Sequence, residues 1–308
     1  MPVPVLNTPR PLGHSGVCLA LGMFDGVHLG HQHVIRQARI DARARGDSTV
    51  VATFDPHPLT VVRPDKAPRL LQSLPQRIAT LESQGADAVL VLRFDEALSR
   101  KSGEAFVRDL VAGFGGLRSF TVGQGFHFGH GRSGNVPLLR TLGRELGFSV
   151  NAVAPIHIGP EVVSSTRVRS ALRDGKLGLV AELLGRPYSL AGTVVEGDRL
   201  GRSLGFPTAN IPVEGLELPP FGVYAARARH AGGEFPAAVN LGLRPTLQSP
   251  QPQLRFETHL IGFEGDLYGH DLTVELVGFL RPERRFAHLD ALKTQITKDI
   301  AAALKALS

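Results

Sequence analysis

Two histidines three residues apart, His28 and His31, close the segment GMFDGVHLGH at residues 22–31, directly after the apolar run at 17–21. Residues three apart in a helix share a face. The spacing therefore aims both imidazoles the same way from a helix start. A helix start offers unpaired backbone N–H groups and the positive end of its dipole, both suited to phosphate. Gly22, Gly26 and Gly30 permit close approach of a nucleotide to the backbone, with Phe24 and Asp25 filling the turn between them. Imidazoles in that place can donate to the charge developing at an α-phosphorus. On an ordinary strand–turn–helix they would be incidental surface groups, so other segments must decide.

Three other segments bear on the same site. TFDPHP at 53–58, with Phe54, Asp55 and His57, ends the second expected strand. SSTRVR at 164–169 sets the hydroxyls of Ser164, Ser165 and Thr166 and the guanidiniums of Arg167 and Arg169 ahead of a helix, a clamp for triphosphate. As a capping segment alone it would be unremarkable. VGQGFHFGHGRSGN at 122–135 is a glycine-rich loop whose Gln124, Phe126 and Phe128 can surround a flat ring and a phosphate. A zinc reading of His28, His31 and His33 has no H-E-x-x-H spacing behind it, and Cys18 is the single cysteine.

A second constellation begins at residue 192. GTVVEGDRLGRSLGFPTAN, residues 192–210, carries Gly197, Arg199, Gly201 and Arg202, which can wrap phosphates with backbone N–H groups. It has no G-K-[ST] and is not a Walker loop. Thr208 and Asn210 share a side of an extended segment and can hold magnesium with phosphate oxygens. Glu257, on the expected strand RFETHL, can accept a proton from a substrate hydroxyl. Taken alone, Glu257 reads equally well as a solvated strand residue.

The elements that position these groups fall into two styles. Strands at 17–21, 49–54, 88–92, 119–122 and 148–154 alternate with helices near 31–44, 75–84, 103–112 and 137–146. Such alternation predicts βαβ units, a parallel sheet and a Rossmann-like α/β layer. Ligands of such sheets bind beyond the carboxyl ends of the strands. Helices follow at 166–173 and 177–184, and Gly185-Arg-Pro-Tyr188 breaks the pattern. Beyond it, strands at 191–195, 222–228, 237–241, 253–260 and 271–280 lack intervening helices, which predicts an antiparallel β-barrel. A terminal amphipathic helix is expected at 289–307, and the domains divide as 1–186 and 187–308.

Bulk properties narrow the class. The 308 residues are 43% hydrophobic and contain no long uncharged apolar run, so no membrane span is expected. No secretory signal is read at the start, and one cysteine suits a reducing cytoplasm. The charge of +6 fits phosphate-bearing ligands, and no run of five or more basic residues suggests nucleic acid. A homo-oligomer is compatible with the sequence.

Together GMFDGVHLGH, TFDPHP, SSTRVR, GRSLGFPTAN, VNLGLRPT and FEGDLYG, in this order from about residue 15 to residue 286, resemble the bifunctional bacterial riboflavin kinase/FMN adenylyltransferase family, also called FAD synthetase. The resemblance implies an N-terminal nucleotidyltransferase domain and a C-terminal flavokinase barrel. One would move the γ-phosphoryl of ATP to riboflavin, giving FMN. The other would join FMN to the AMP part of ATP, giving FAD and pyrophosphate. By the same resemblance His28 and His31 belong to the adenylylation site. Residues 164–167 and Arg169 form its second nucleotide signature. Thr208 and Asn210 match the kinase magnesium and ATP motif, and Glu257 matches its base.

One position departs from the family pattern. Gly125 stands where the family usually has an acidic or amide residue, and Gln124, His127 and Asn135 are the candidates to replace it. The nearest rival is therefore a riboflavin kinase with a degenerate adenylyltransferase domain. A fragment of a class I aminoacyl-tRNA synthetase would also carry H-x-G-H, but the second half lacks a helical anticodon-binding body. A flavin or nucleotide carrier without turnover would not need two ATP motifs.

Overall fold

The computed structural model describes residues 2–13, 16–197, 201, 204–246 and 249–308, apart from the side chains of 244–252. Packing divides the chain into two compact units, residues 1–69 with 77–165 and residues 70–76 with 166–308.

The first unit holds a six-stranded sheet: β1 (Val5–Leu6), β2 (Val17–Leu21), β3 (Ser48–Asp55), β4 (Ala88–Arg93), β5 (Leu117–Gly123) and β6 (Ser149–Val153), in the order β1-β4-β3-β2-β5-β6. Every pairing is parallel. The crossovers are helical: α1 (Leu29–Arg45) after β2, α2 (Pro58–Val62) and α3 (Leu74–Ser83, from its fourth residue) after β3, α4 (Glu96–Ser99) and α5 (Gly103–Phe114) after β4, and α6 (Val136–Leu146) after β5. Strands covered on both faces read as unbroken apolar runs, and all five residues of β2 are buried. Chain direction across the sheet reverses between β2 and β5, so the switch-point crevice opens beyond their carboxyl ends. A two-stranded hairpin, β7 (His157–Ile158) with β8 (Glu161–Val162), precedes Ser164. The five expected strands and four helices are present with ends moved by one or two residues. Edge strand β1 and the short helices α2 and α4 are too brief to leave a periodic signal.

The second unit contains α7 (Ser165–Arg173, from its second residue), α8 (Leu177–Leu184) and six strands: β9 (Ser189–Thr193), β10 (Ala209–Asn210), β11 (Gly222–His230), β12 (Gly233–Thr246), β13 (Ser249–Leu260) and β14 (Asp271–Arg281). They pair antiparallel in the order β10-β13-β12-β11-β14-β9. A bridge joins the sheet's two edges, where the Val195 N–H donates to the Asn210 carbonyl at 2.8 Å. The expected barrel is observed, with longer central strands than the apolar pattern indicated. The C-terminal helix, Leu289–Leu307, is where the sequence places it. Residues 70–76 belong to this unit: Leu70 bridges Leu216, and the buried Tyr188 hydroxyl lies 2.8 Å from the Glu217 carbonyl and 3.2 Å from that of Leu71.

Candidate active sites

The loop from Gly22 to His28 leaves the carboxyl end of β2 under strain. Phe24 and Val27 both take left-handed backbone, at φ 50° and 40°, and both are buried. For a β-branched residue such as Val27 this is a costly conformation, of the kind that concentrates at functional sites. The strained turn delivers His28 to the N-cap of α1, where its Nδ1 accepts from the His31 N–H at 3.3 Å. A neutral imidazole that accepts at Nδ1 carries its proton on Nε2. The cap bond thus presents His28 as a donor. Its ring stacks on that of His31, centroids 3.6 Å apart, and the Phe24 ring meets His31 edge-on at 5.2 Å. Gly30 leaves room for this stack, since a Cβ there would lie 3.2 Å from the His28 ring. The first turn of α1 carries no carboxylate, so its positive end remains suited to an anion.

Two other segments lock this loop in place. The Ser165 hydroxyl donates to the Asp25 carbonyl at 2.9 Å, joining SSTRVR to GMFDGVHLGH. The Thr53 hydroxyl donates to the Met23 carbonyl at 2.7 Å, joining it to TFDPHP. Asp25 is buried, and Ser164 is partly exposed. Thr166, Arg167 and Arg169 fall in the second unit, where Arg169 is buried on α7 and Thr166 is exposed. His57 caps α2, its Nδ1 accepting from the Leu59 N–H at 3.1 Å. Asp55 approaches Arg77 at 3.5 Å.

The aromatic residues expected around a flat ring are largely core. Phe54 and Phe128 are buried, each packed against Phe106 at centroid distances of 6.2 and 5.9 Å. Phe126 stacks on Phe128 at 5.5 Å and stays half-buried, and Gln124 is exposed. A Cβ at Gly125 would meet nothing within 4 Å. The His127 ring lies beside it, Nδ1 2.9 Å from the Gly125 carbonyl. Asn135 is already engaged, its Oδ1 capping α6 through the Leu138 N–H at 2.9 Å.

In the barrel the site is assembled by strand register. Asn210 on β10 pairs directly with Glu257 on β13, and Glu257 pairs with Asn240 on β12. Asn240 pairs in turn with Val223 on β11, and Val223 with Arg281 on β14. Directly opposed residues in a ladder face the same side. This row of five lines one cavity of about 740 Å³, together with Thr208. Gly197 and Gly201 also line it. A Cβ on Gly197 would lie 2.5 Å from Asn210 Nδ2, and one on Gly201 would lie 2.4 Å from the Phe206 carbonyl and 3.3 Å from Thr208 Oγ1. Asn210 Oδ1 is buried and accepts no hydrogen bond among the described residues. An oxygen left in that state suits a hard cation. Arg199 and Arg202 lie outside the described residues.

Sequence reasoning missed several residues of this cavity. Its apolar lining includes Phe263 and Leu267, inside FEGDLYG but given no role there, and also Leu292 and Ile296. Glu283 also lines it, on the segment after β14. Burial pushes the Glu283 carboxyl up, and the Glu257 charge adds to this against the Leu243 backbone hydrogen bond and Arg281. Arg281 is held by a two-pronged pair with Asp299 of the C-terminal helix, at 2.8 and 2.7 Å. No periodicity marks these positions; only the ladder and the terminal helix bring them together.

Comparison with known proteins gives a consistent picture. A family model described as FAD synthetase matches residues 11–167, and one described as riboflavin kinase matches residues 184–307. A bifunctional riboflavin kinase/FMN adenylyltransferase from Escherichia coli is 40% identical over 286 residues, 92% of this chain and 91% of that protein. One of the same name from Pseudomonas fluorescens is 40% identical over 299 residues, 97% and 95% of the two chains. A crystal structure titled as a macrolide-efflux protein from Streptococcus pneumoniae superposes with a TM-score of 0.82 over 98% of this chain and 99% of that one, at 25% identity. Among the described residues no helix is long and apolar enough to cross a membrane.

Proposed function

The chain belongs to the bifunctional riboflavin kinase/FMN adenylyltransferase family, and from that membership we propose how its residues divide two ATP-dependent reactions. The enzyme phosphorylates riboflavin to FMN and adenylylates FMN to FAD with release of pyrophosphate. A kinase with a decayed adenylyltransferase half is not favoured, because the FAD synthetase description matches residues 11–167. One observation carries the division of labour. The histidine stack and the Asn210–Glu257–Asn240 row belong to different compact units, each with its own phosphate-binding features. We place the functional boundary near residue 186, within 1–186 and 187–308.

In the barrel Glu257 aligns the riboflavin 5′-hydroxyl and takes its proton as the oxygen attacks the γ-phosphorus and ADP leaves. Phosphoryl transfer asks mainly for positioning and charge neutralisation. Thr208 and the buried Asn210 Oδ1 would hold Mg²⁺, which neutralises phosphate charge when bound. Gly197, Arg199, Gly201 and Arg202 form the loop over the ATP phosphates. Asn240 accompanies Glu257 on the same face.

In the parallel-sheet unit a phosphate oxygen of FMN attacks the α-phosphorus of ATP and pyrophosphate leaves, with no protein nucleophile. The helix start and the His28 and His31 rings donate to the charge that builds up there. Gly22, Phe24, Asp25, Gly26 and Gly30 shape the ATP side, with Ser164 and Ser165. Phe54, Asp55, His57, Gln124, Phe126 and Phe128 frame the flavin side, Phe54 and Phe128 through the core behind it. The reading includes a cytoplasmic enzyme that acts on small molecules, without nucleic acid or membrane.

Product analysis tests it. Riboflavin with ATP and magnesium is expected to give FMN and ADP first, then FAD and pyrophosphate. Absence of FAD when FMN and ATP are supplied directly would reject the assignment of the first unit.

A further inference from the structure

Arg77, on α3, belongs to no motif singled out in the sequence, yet it is among the largest side chains fully buried in the molecule. Its guanidinium reaches the carboxyl ends of β2 and β3. It lies 3.1 Å from the Phe54 carbonyl, 3.4 Å from the Met23 carbonyl and 3.5 Å from the Asp55 carboxylate. Met23 is in the strained loop that carries the histidine stack; Phe54 and Asp55 are in TFDPHP. Burial pushes the Arg77 guanidinium below its usual value, and the charges of Asp25 and then Asp55 push it back up. Burying an arginine is expensive, and a well-packed apolar residue often serves stability as well or better. A cation kept at this depth therefore calls for a reason other than packing.

The charge balance supplies one. Asp25 is buried and Asp55 partly exposed, both beside loops assigned to ATP and FMN. Both substrates are anions. Carboxylates close to a phosphate-binding loop repel them unless a cation offsets the charge.

We propose that Arg77 is a positioning residue of the adenylyl-transfer site, fixing the Met23 and Phe54 carbonyls and offsetting the Asp25 and Asp55 charges so that the loop accepts a polyanion. This rests on the assignment of FMN adenylylation to the first unit. The full-length enzyme is assayed for FAD formation from FMN, with adenosine as a neutral competitor of ATP. In Arg77→Met the KM for ATP is expected to rise roughly tenfold or more, while the inhibition constant of adenosine stays within about twofold of wild type, because only the phosphates sense the lost charge. Arg77→Lys, which keeps the charge, is expected to bring the KM for ATP back to within about threefold. An unchanged KM in Arg77→Met, or parallel weakening of ATP and adenosine, would overturn the proposal; a merely structural role gives the parallel loss. Should Arg77→Met fail to fold by circular dichroism, the lysine variant decides: a folded Arg77→Lys whose KM is raised about tenfold or more contradicts charge compensation. Wild-type enzyme that makes no FAD from FMN would instead sink the underlying assignment.

Discussion

The two proposed sites would solve the same problem, gripping ATP, by opposite means. In the parallel-sheet unit one short loop does most of the work. Nine consecutive positions from Gly22 to Gly30 hold two left-handed residues other than glycine, the helix cap and its imidazole, and His31 follows at once. In the barrel no single segment suffices. Asn210, Asn240 and Glu257 come from three strands and meet because antiparallel pairing puts them in one row. The first design stores strain in a loop and braces it from behind through Thr53, Ser165 and Arg77. The second spreads its groups over a sheet and uses glycines where the backbone comes close to Asn210 and Thr208.

The contrast is open to attack from either side. The largest effect is expected at Glu257. Glu257→Ala should lower riboflavin phosphorylation by about 10²–10⁴-fold, the usual contribution of a general base, and leave FAD formation from FMN unchanged. Near-normal kinase turnover in that variant would reject Glu257 as the base. His28→Ala or His31→Ala should cost about 10²–10³-fold in FAD formation, as for loss of a donor to a developing charge, with FMN production intact. Both are read by chromatography of the flavin products.

Smaller effects sharpen the comparison. Asp299→Ala leaves Arg281 without its two-pronged partner. Urea unfolding should show the barrel unit destabilised by about 3 kcal/mol, with the transition of the parallel-sheet unit unmoved. Smallest is Gly201→Ala. Its methyl group would press on the Phe206 carbonyl at 2.4 Å. Overpacking of about 1–3 kcal/mol should raise the kinase KM for ATP roughly tenfold, without touching adenylylation.

Legibility in the sequence follows from the same difference. The loop site could be read residue by residue because its parts are contiguous, and His28 and His31 at helical spacing do stack. The barrel site was legible through Gly197, Gly201, Thr208, Asn210 and Glu257, but the row that joins them was not, since register is not written in any one segment. Asn240 lies within VNLGLRPT, but its place beside Glu257 shows only in the register, and nothing local marks Arg281 and Glu283 as members of the same cavity. Phe128 misled in the other direction. Its place beside glycines suggested a ligand ring, whereas it closes the core against Phe106. Arg77 sits in an ordinary amphipathic helix, and a buried guanidinium on such a helix shows only once the carbonyls it reaches are known.

Mixing two defective enzymes tests the separation of the sites most directly. Glu257→Ala and His31→Ala proteins, each purified and folded, are incubated with riboflavin, ATP and magnesium, alone and together. Alone, the first should leave riboflavin unconverted and the second should stop at FMN. Together they should make FAD, because FMN released by one is adenylylated by the other. A mixture that makes no FAD, or a single substitution that abolishes both reactions in folded protein, would contradict two independent ATP sites on this chain.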